Sequence, residues 1–190
     1  MSLIEKYRVT SSTQVEELHR TAHSAIQRLS GISTSLIKIE NWIAVCFHEC
    51  LLDFSQISSA FKKYGHKEIV VLSWGDTEMS AFILPTNEEE MGISFFGIGT
   101  IGCLIFSGKP DWVILYERTL DYLLICGKQD FVEQVLGCSK SDAFESIEEV
   151  IKNSGYISDI GKQHFRDLLY QLRVVYPTAN NGSEIIFEFT

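Results

Sequence analysis

Three rhythms of apolar and polar positions divide this chain. From Thr13 to Leu29, Val15, Leu18, Ala22, Ala25 or Ile26, and Leu29 recur every three or four residues, which predicts a helix with one buried face. Thr13 and Glu16 stand in capping-box register at its start, and Gly31 is placed to stop it. Residues 36–49, SLIKIE followed by NWIAVCFHE, change to an extended pattern, one long strand or two joined near Glu40-Asn41. Asp53 then caps a second helix with Phe54, Ile57, Phe61 and Tyr64 on one stripe and Gly65 as its stop. Lys67 to Trp74, the turn at Gly75-Asp76, and Met79 to Leu84 read as an antiparallel hairpin, because a parallel return would need a dozen or more connecting residues.

The stretch from Met91 to Cys126 has a different character. It is almost uncharged until Lys109 and apolar at successive positions, the pattern of central strands covered on both faces. Strands are predicted over Ile93–Phe106, Trp112–Glu117 and Tyr122–Cys126. After Gly127 helical spacing returns. Asp130 with Glu133 forms a capping-box pattern for a short helix ending at Gly137, a second helix covers Asp142–Asn153, and a third covers Asp159–Tyr176 before Pro177. Asn180-Asn181-Gly182 predicts a turn, and Glu184 to Phe189 alternates as a last strand. The order predicts an α+β fold: a single domain over residues 1–190, with a mainly antiparallel sheet packed by an N-terminal helix and a C-terminal group of helices.

Composition narrows the function classes. A chain of 190 residues, 45% hydrophobic, can build one good core, and with three prolines and no Gly/Ser tract it offers no linker between two. Sixteen basic against 25 acidic residues give a formal charge of −9, which argues against binding nucleic acid through phosphate neutralisation. Five cysteines without paired spacing fit a reducing compartment better than a disulfide framework. MSLIEKYRVTSST has no apolar leader core, and no apolar run reaches the roughly 18 residues of a membrane span, so a cytoplasmic protein without membrane contact is expected.

Candidate chemistry is sparse. Gly97-Ile98-Gly99-Thr100-Ile101-Gly102 matches the dinucleotide fingerprint, with Glu117 twenty residues beyond Gly97. That fingerprint needs a helix to start at its third glycine, and Gly108-Lys109-Pro110 leaves no length for one. The glycines are read instead as places where backbones approach closely, so bulk at Gly99 is expected to damage the fold. Cys46, His48 and Cys50 would share one face of a strand, and Glu16, His19 and His23 one side of the first helix. Neither trio has the partners a structural zinc or carboxylate-bridged site requires, so no metal and no cofactor is expected. Cys126 or Cys138 could pair in space with His164, but no catalytic residue emerges and an enzyme is not supported. Tyr7, Trp42, Trp74, Phe95, Phe96, Trp112, Tyr116, Tyr122 and Tyr170 are read as core and surface aromatics, since the 79–106 segment lacks the Lys and Arg that base stacking would need.

The segment DYLLICGKQDFVEQVLG, continued by SDAFESIEEVIKNSGY, resembles the closing half of small bacterial immunity proteins of polymorphic-toxin and contact-dependent inhibition systems. The resemblance covers the final third of the chain. It implies an acidic, non-enzymatic domain that neutralises a cognate toxin by occluding it, consistent with the charge and the missing catalytic constellation. The leading expectation is therefore a protein-binding domain for a basic partner, with Glu88, Glu89 and Glu90 beyond Pro85 as the partner-binding residues. The alternative is a small-ligand-binding protein or enzyme with a pocket between sheet and helices. Homo-oligomerisation through a sheet edge is a third reading.

Overall fold

A computed structural model describes residues 3–24, 41–48, 53–74, 78–89, 92, 98, 102–109, 111–118, 122–155 and 157–175. After a 3₁₀ turn at Leu3–Tyr7, the elements are α1 (Ser12–Ser24), β1 (Ile43–His48), α2 (Phe54–Lys63), β2 (Glu68–Trp74), β3 (Ala81–Pro85), β4 (Gly102–Phe106), β5 (Trp112–Glu117), β6 (Tyr122–Gly127), α3 (Gln129–Leu136), α4 (Lys140–Asn153) and α5 (Asp159–Val175). The strands form one six-stranded sheet in the order β1-β6-β5-β4-β2-β3, with every neighbouring pair antiparallel. The fold is α+β, as the element order predicts.

Side-chain alternation divides the strand residues between two cores. Ala44, Cys46, Val70, Leu72, Leu104, Phe106, Val113, Leu115, Leu124 and Cys126 meet residues of α1, α4 and α5 on one face. Val45, Phe47, Ile69, Val71, Ile105, Ile114, Leu123 and Ile125 meet α2 and α3 on the other. Because both faces are covered, β4 and β6 are buried at every position, which is why their sequences lack a polar alternation. Helix α4 approaches β1 closely and contributes Ala143 to one core but Phe144, Ile147 and Ile151 to the other, placing it along the β1 edge. The opposite edge, β3, bridges Arg8, accepts the Val9 N–H at Ala81 O (2.9 Å), and ends on Pro85, which has no N–H to offer.

Several boundaries differ from the sequence reading. Helix α1 starts one residue before Thr13, and the Ser11 hydroxyl takes the Gln14 N–H, so Ser11 provides the cap and the Thr13/Glu16 box is not formed. Lys128 occupies the α3 cap position without a side-chain bond, and Asp130 accepts the Phe131 N–H and the Tyr64 hydroxyl instead of closing a box with Glu133. Asp142 is the third residue of α4, closing a true capping box with Ser139. Asp53 caps α2 and Gly137 ends α3 in the left-handed region, both as read. Residues 25–40, Glu49, Cys50, the turn read at Gly75-Asp76, and residues 176–190, with the turn and last strand read there, lie outside the described residues.

Of the strand read over Ile93–Phe106, Gly102–Phe106 is β4 and Ile98 lies in a bend instead of a strand; 93–97, Gly99 and 100–101 are outside the described residues. Gly102 explains its own identity. A Cβ built there would lie 1.9 Å from the Tyr116 carbonyl oxygen of β5, so any other side chain would push β4 off its neighbour. A strand, not a helix, follows this glycine, and the pyrophosphate cradle of a dinucleotide loop therefore has no helix to supply it.

Candidate functional site

The strand order dictates where the acidic segment runs. β3 and β4 flank β2 on opposite sides and are both antiparallel to it, so the connection between them must cross a face of the sheet. Ile98, 2% exposed in the core shared with α2 and α3, marks the face, and its carbonyl accepts from the Arg118 guanidinium at 3.4 Å. Glu88 and Glu89 lie at the start of this crossover, exposed and with helical backbone. Glu90 is outside the described residues.

Thr86 anchors the turn that carries them. It is 5% exposed; its N–H donates to Lys67 O (3.1 Å), its hydroxyl donates to His66 O (2.9 Å), and its carbonyl accepts the Ser58 hydroxyl (2.9 Å). These bonds tie the chain leaving β3 to α2 and to the α2–β2 connection. As a result Glu88 and Glu89 face Phe54, the first residue of α2, and with Gly92 they line an open depression of about 590 Å³. Asp53 stands beside Phe54, and its carboxylate accepts the Ser55 hydroxyl (2.7 Å) and the Ser55 and Gln56 amides (2.9 and 3.4 Å). Those bonds, the hydroxyl first, hold the Asp53 carboxyl below its ordinary value. Neither Thr86 nor Phe54 stands out in the sequence as part of a site; a threonine between Pro85 and an acidic run was the available signal.

The other candidates are structural in their surroundings. Cys46 is fully buried in the core with Cys126 and Tyr122, and burial drives all three well above their ordinary pKa values. The His48 side chain and Cys50 are outside the described residues. His19, 5% exposed, places Nε2 3.0 Å from Ser80 O and so fastens α1 to the start of β3. His23 stacks on Trp74 at 5.1 Å, and burial, followed by the neighbouring His19, lowers its pKa; Glu16 is exposed. Among the described residues no three His, Cys, Asp or Glu side chains gather as a metal site. The His164 ring lies 6.2 Å from that of Tyr122. The Cys138 thiol is raised by burial and then by Asp142 and Glu133, the opposite of what an activated nucleophile needs.

Trp42, Trp112, Tyr116 and Tyr122 are buried, while Trp74 is half-buried and Tyr170 exposed. Among the described residues no helix is long and apolar enough to cross a membrane. Comparison of the chain with protein-family models, with curated proteins and with solved structures returns no match.

Proposed function

We propose that this protein is a non-enzymatic binding domain for a basic protein partner, and that the partner is a toxin domain which it neutralises by occlusion. The observation that carries the reading is the pair Glu88 and Glu89, held exposed on an anchored turn beside an open depression, in a chain of formal charge −9. Complementary charge at such a place speeds encounter and fixes the register of docking. The packing of both sheet faces favours this over a pocket between sheet and helices: Ala44, Leu72, Leu104, Ile105, Ile114 and Ile125 are each 0% exposed beneath the helices.

The genetic neighbourhood and the kinetics test it together. A large secreted protein with a variable C-terminal domain, encoded immediately upstream, supports the toxin reading; a metabolic operon counts against it. Against that C-terminal domain, stopped-flow association at low salt is expected to slow by roughly 10-fold or more when Glu88, Glu89 and Glu90 are all replaced by Lys. An unchanged rate removes the turn from the interface. A small molecule retained in native mass spectra of protein purified from its host would favour a ligand-binding protein instead.

A further inference from the structure

The aromatic corner where α2, α3 and β5 meet contains one hydrogen bond whose chemistry depends on protonation. Trp112 is 2% exposed and stacks on Phe61 (4.6 Å) and Phe131 (5.0 Å), contacts that fix its ring. Its Nε1 donates to Nε2 of the half-buried His66 at 2.9 Å. An indole nitrogen can only donate, so the His66 ring in this bond is neutral, with its proton on Nδ1. A protonated imidazole has two N–H groups and no acceptor, and would face the indole donor to donor. The buried indole N–H would then be left unsatisfied.

The backbone of the same residue is tied on both sides. Gly65 and His66 end α2 in a Schellman motif, with the Gly65 N–H donating to Lys62 O (3.0 Å) and the His66 N–H to Phe61 O (2.9 Å). The His66 carbonyl accepts the Thr86 hydroxyl (2.9 Å), and Lys67 O accepts the Thr86 N–H (3.1 Å). A ring that swings away from Trp112 therefore pulls on the connection that holds Thr86, two residues before Glu88.

The described charged groups on the surrounding elements are of other types. On α2, Lys62 and Lys63 are exposed, Lys63 donates to Gln134 Oε1 (2.7 Å), and the Tyr64 hydroxyl after the helix donates to Asp130 of α3. Glu133 of α3 accepts from Gln129 (2.9 Å), and Asp111 before β5 accepts the Ser107 hydroxyl. Lys67, Glu68, Glu88, Glu89, Lys109 and Lys128 are exposed. Carboxylates ordinarily titrate at about pH 4 and lysines at about pH 10, whereas histidine is the side chain that ordinarily changes charge between about pH 5 and 8.

We propose that the His66–Trp112 bond is a proton-sensitive latch, which fastens the α2–β2 connection and, through Thr86, the acidic turn, and which opens when His66 takes up a proton. The bond needs neutral His66, so its stabilisation is present at neutral pH and is lost as pH falls. The latch is independent of the partner proposed above.

Spectra of the nitrogen-labelled full chain between about pH 8 and 5 read both ends of the device. The Trp112 Nε1–H and the amides of Thr86, Glu88 and Glu89 are expected to shift with one common midpoint. Over this range the unfolding equilibrium constant, measured in urea, should rise roughly 10-fold more in the wild type than in His66→Gln, whose amide oxygen accepts the indole N–H but takes up no proton. Trp112→Phe, which removes the donor and keeps a stacking ring, should lose the same share of the pH dependence. Equal pH dependence in wild type and His66→Gln would overturn the latch, as would a wild-type Trp112 resonance that stays still. An indole shift without movement at Thr86, Glu88 and Glu89 overturns the coupling to the turn. Movement of the turn that persists in His66→Gln assigns it to the glutamates themselves and counts against the proposal.

Discussion

The two ends of α2 are built from similar residues and used in opposite ways. At its C-terminal end Phe61 stacks on Trp112 (4.6 Å) and Phe131 (6.0 Å), while Tyr64 meets Phe131 edge-on at 5.3 Å. Every polar tip named there has a partner: Trp112 Nε1 donates to His66 Nε2 at 2.9 Å, and the Tyr64 hydroxyl donates to Asp130. Burial and then that carboxylate push the Tyr64 phenol up to about 12. At the N-terminal end Phe54, packed against the α2/α3 core, lines an open depression together with two exposed carboxylates. The closed end holds α2 and α3 on the sheet, whereas Glu88 and Glu89 at the open end are exposed and stand outside that core.

The largest expected effect lies at the closed end. Phe61→Ala removes a fully buried ring between two others and is expected to cost about 3–5 kcal/mol in urea denaturation. A cost below about 1 kcal/mol would show that the aromatic corner is not what fastens α2. Next comes His66→Leu, which leaves the indole N–H of Trp112, 2% exposed, without its acceptor; about 1–3 kcal/mol is expected. Adding Trp112→Phe should then cost less than it does in the wild type, and strict additivity would mean that the hydrogen bond contributes nothing.

The smallest effect belongs to the cap at the open end. Asp53→Ala is expected to lower the melting temperature by less than either change above, and the loss should depend on pH. The Asp53 carboxyl titrates below its ordinary value of 3.8 in the folded protein, so its stabilisation is complete above that value and disappears as pH falls through the folded-state pKa. Wild type and variant should therefore converge in acid; a difference that grows on acidification would show that the carboxylate is not the capping group.

How much of this was legible in the sequence varied with the range of the interaction. The α2 cap at Asp53, the stop at Gly137, the strand Trp112–Glu117 and the hairpin pairing of β2 with β3 all follow from neighbours within a few residues. Caps with several local candidates misled: Thr13 and Ser11 carry equivalent hydroxyls, and only the path of the chain into α1 decided between them. The glycine match at 97–102 already reads as a close approach of backbones, since Pro110 leaves no room for a helix, and at Gly102 the partner is the Tyr116 carbonyl of the adjacent strand. Glu88 and Glu89 were legible as an acidic run after Pro85, but their place beside Phe54 was not, because it depends on the Thr86 hydrogen bonds to α2 and to the α2–β2 connection.

By itself the sequence determined the type of most described elements and that the middle strands are covered on both faces, because periodicity and the absence of polar alternation are local properties of the chain. Only the tertiary structure decided that β1 pairs with β6 and that β2 lies between β3 and β4. Backbone hydrogen-bonding groups are the same in every strand, so partner choice depends on packing between residues far apart in sequence. That choice sends the β3–β4 connection across the sheet and brings two glutamates to the first turn of α2.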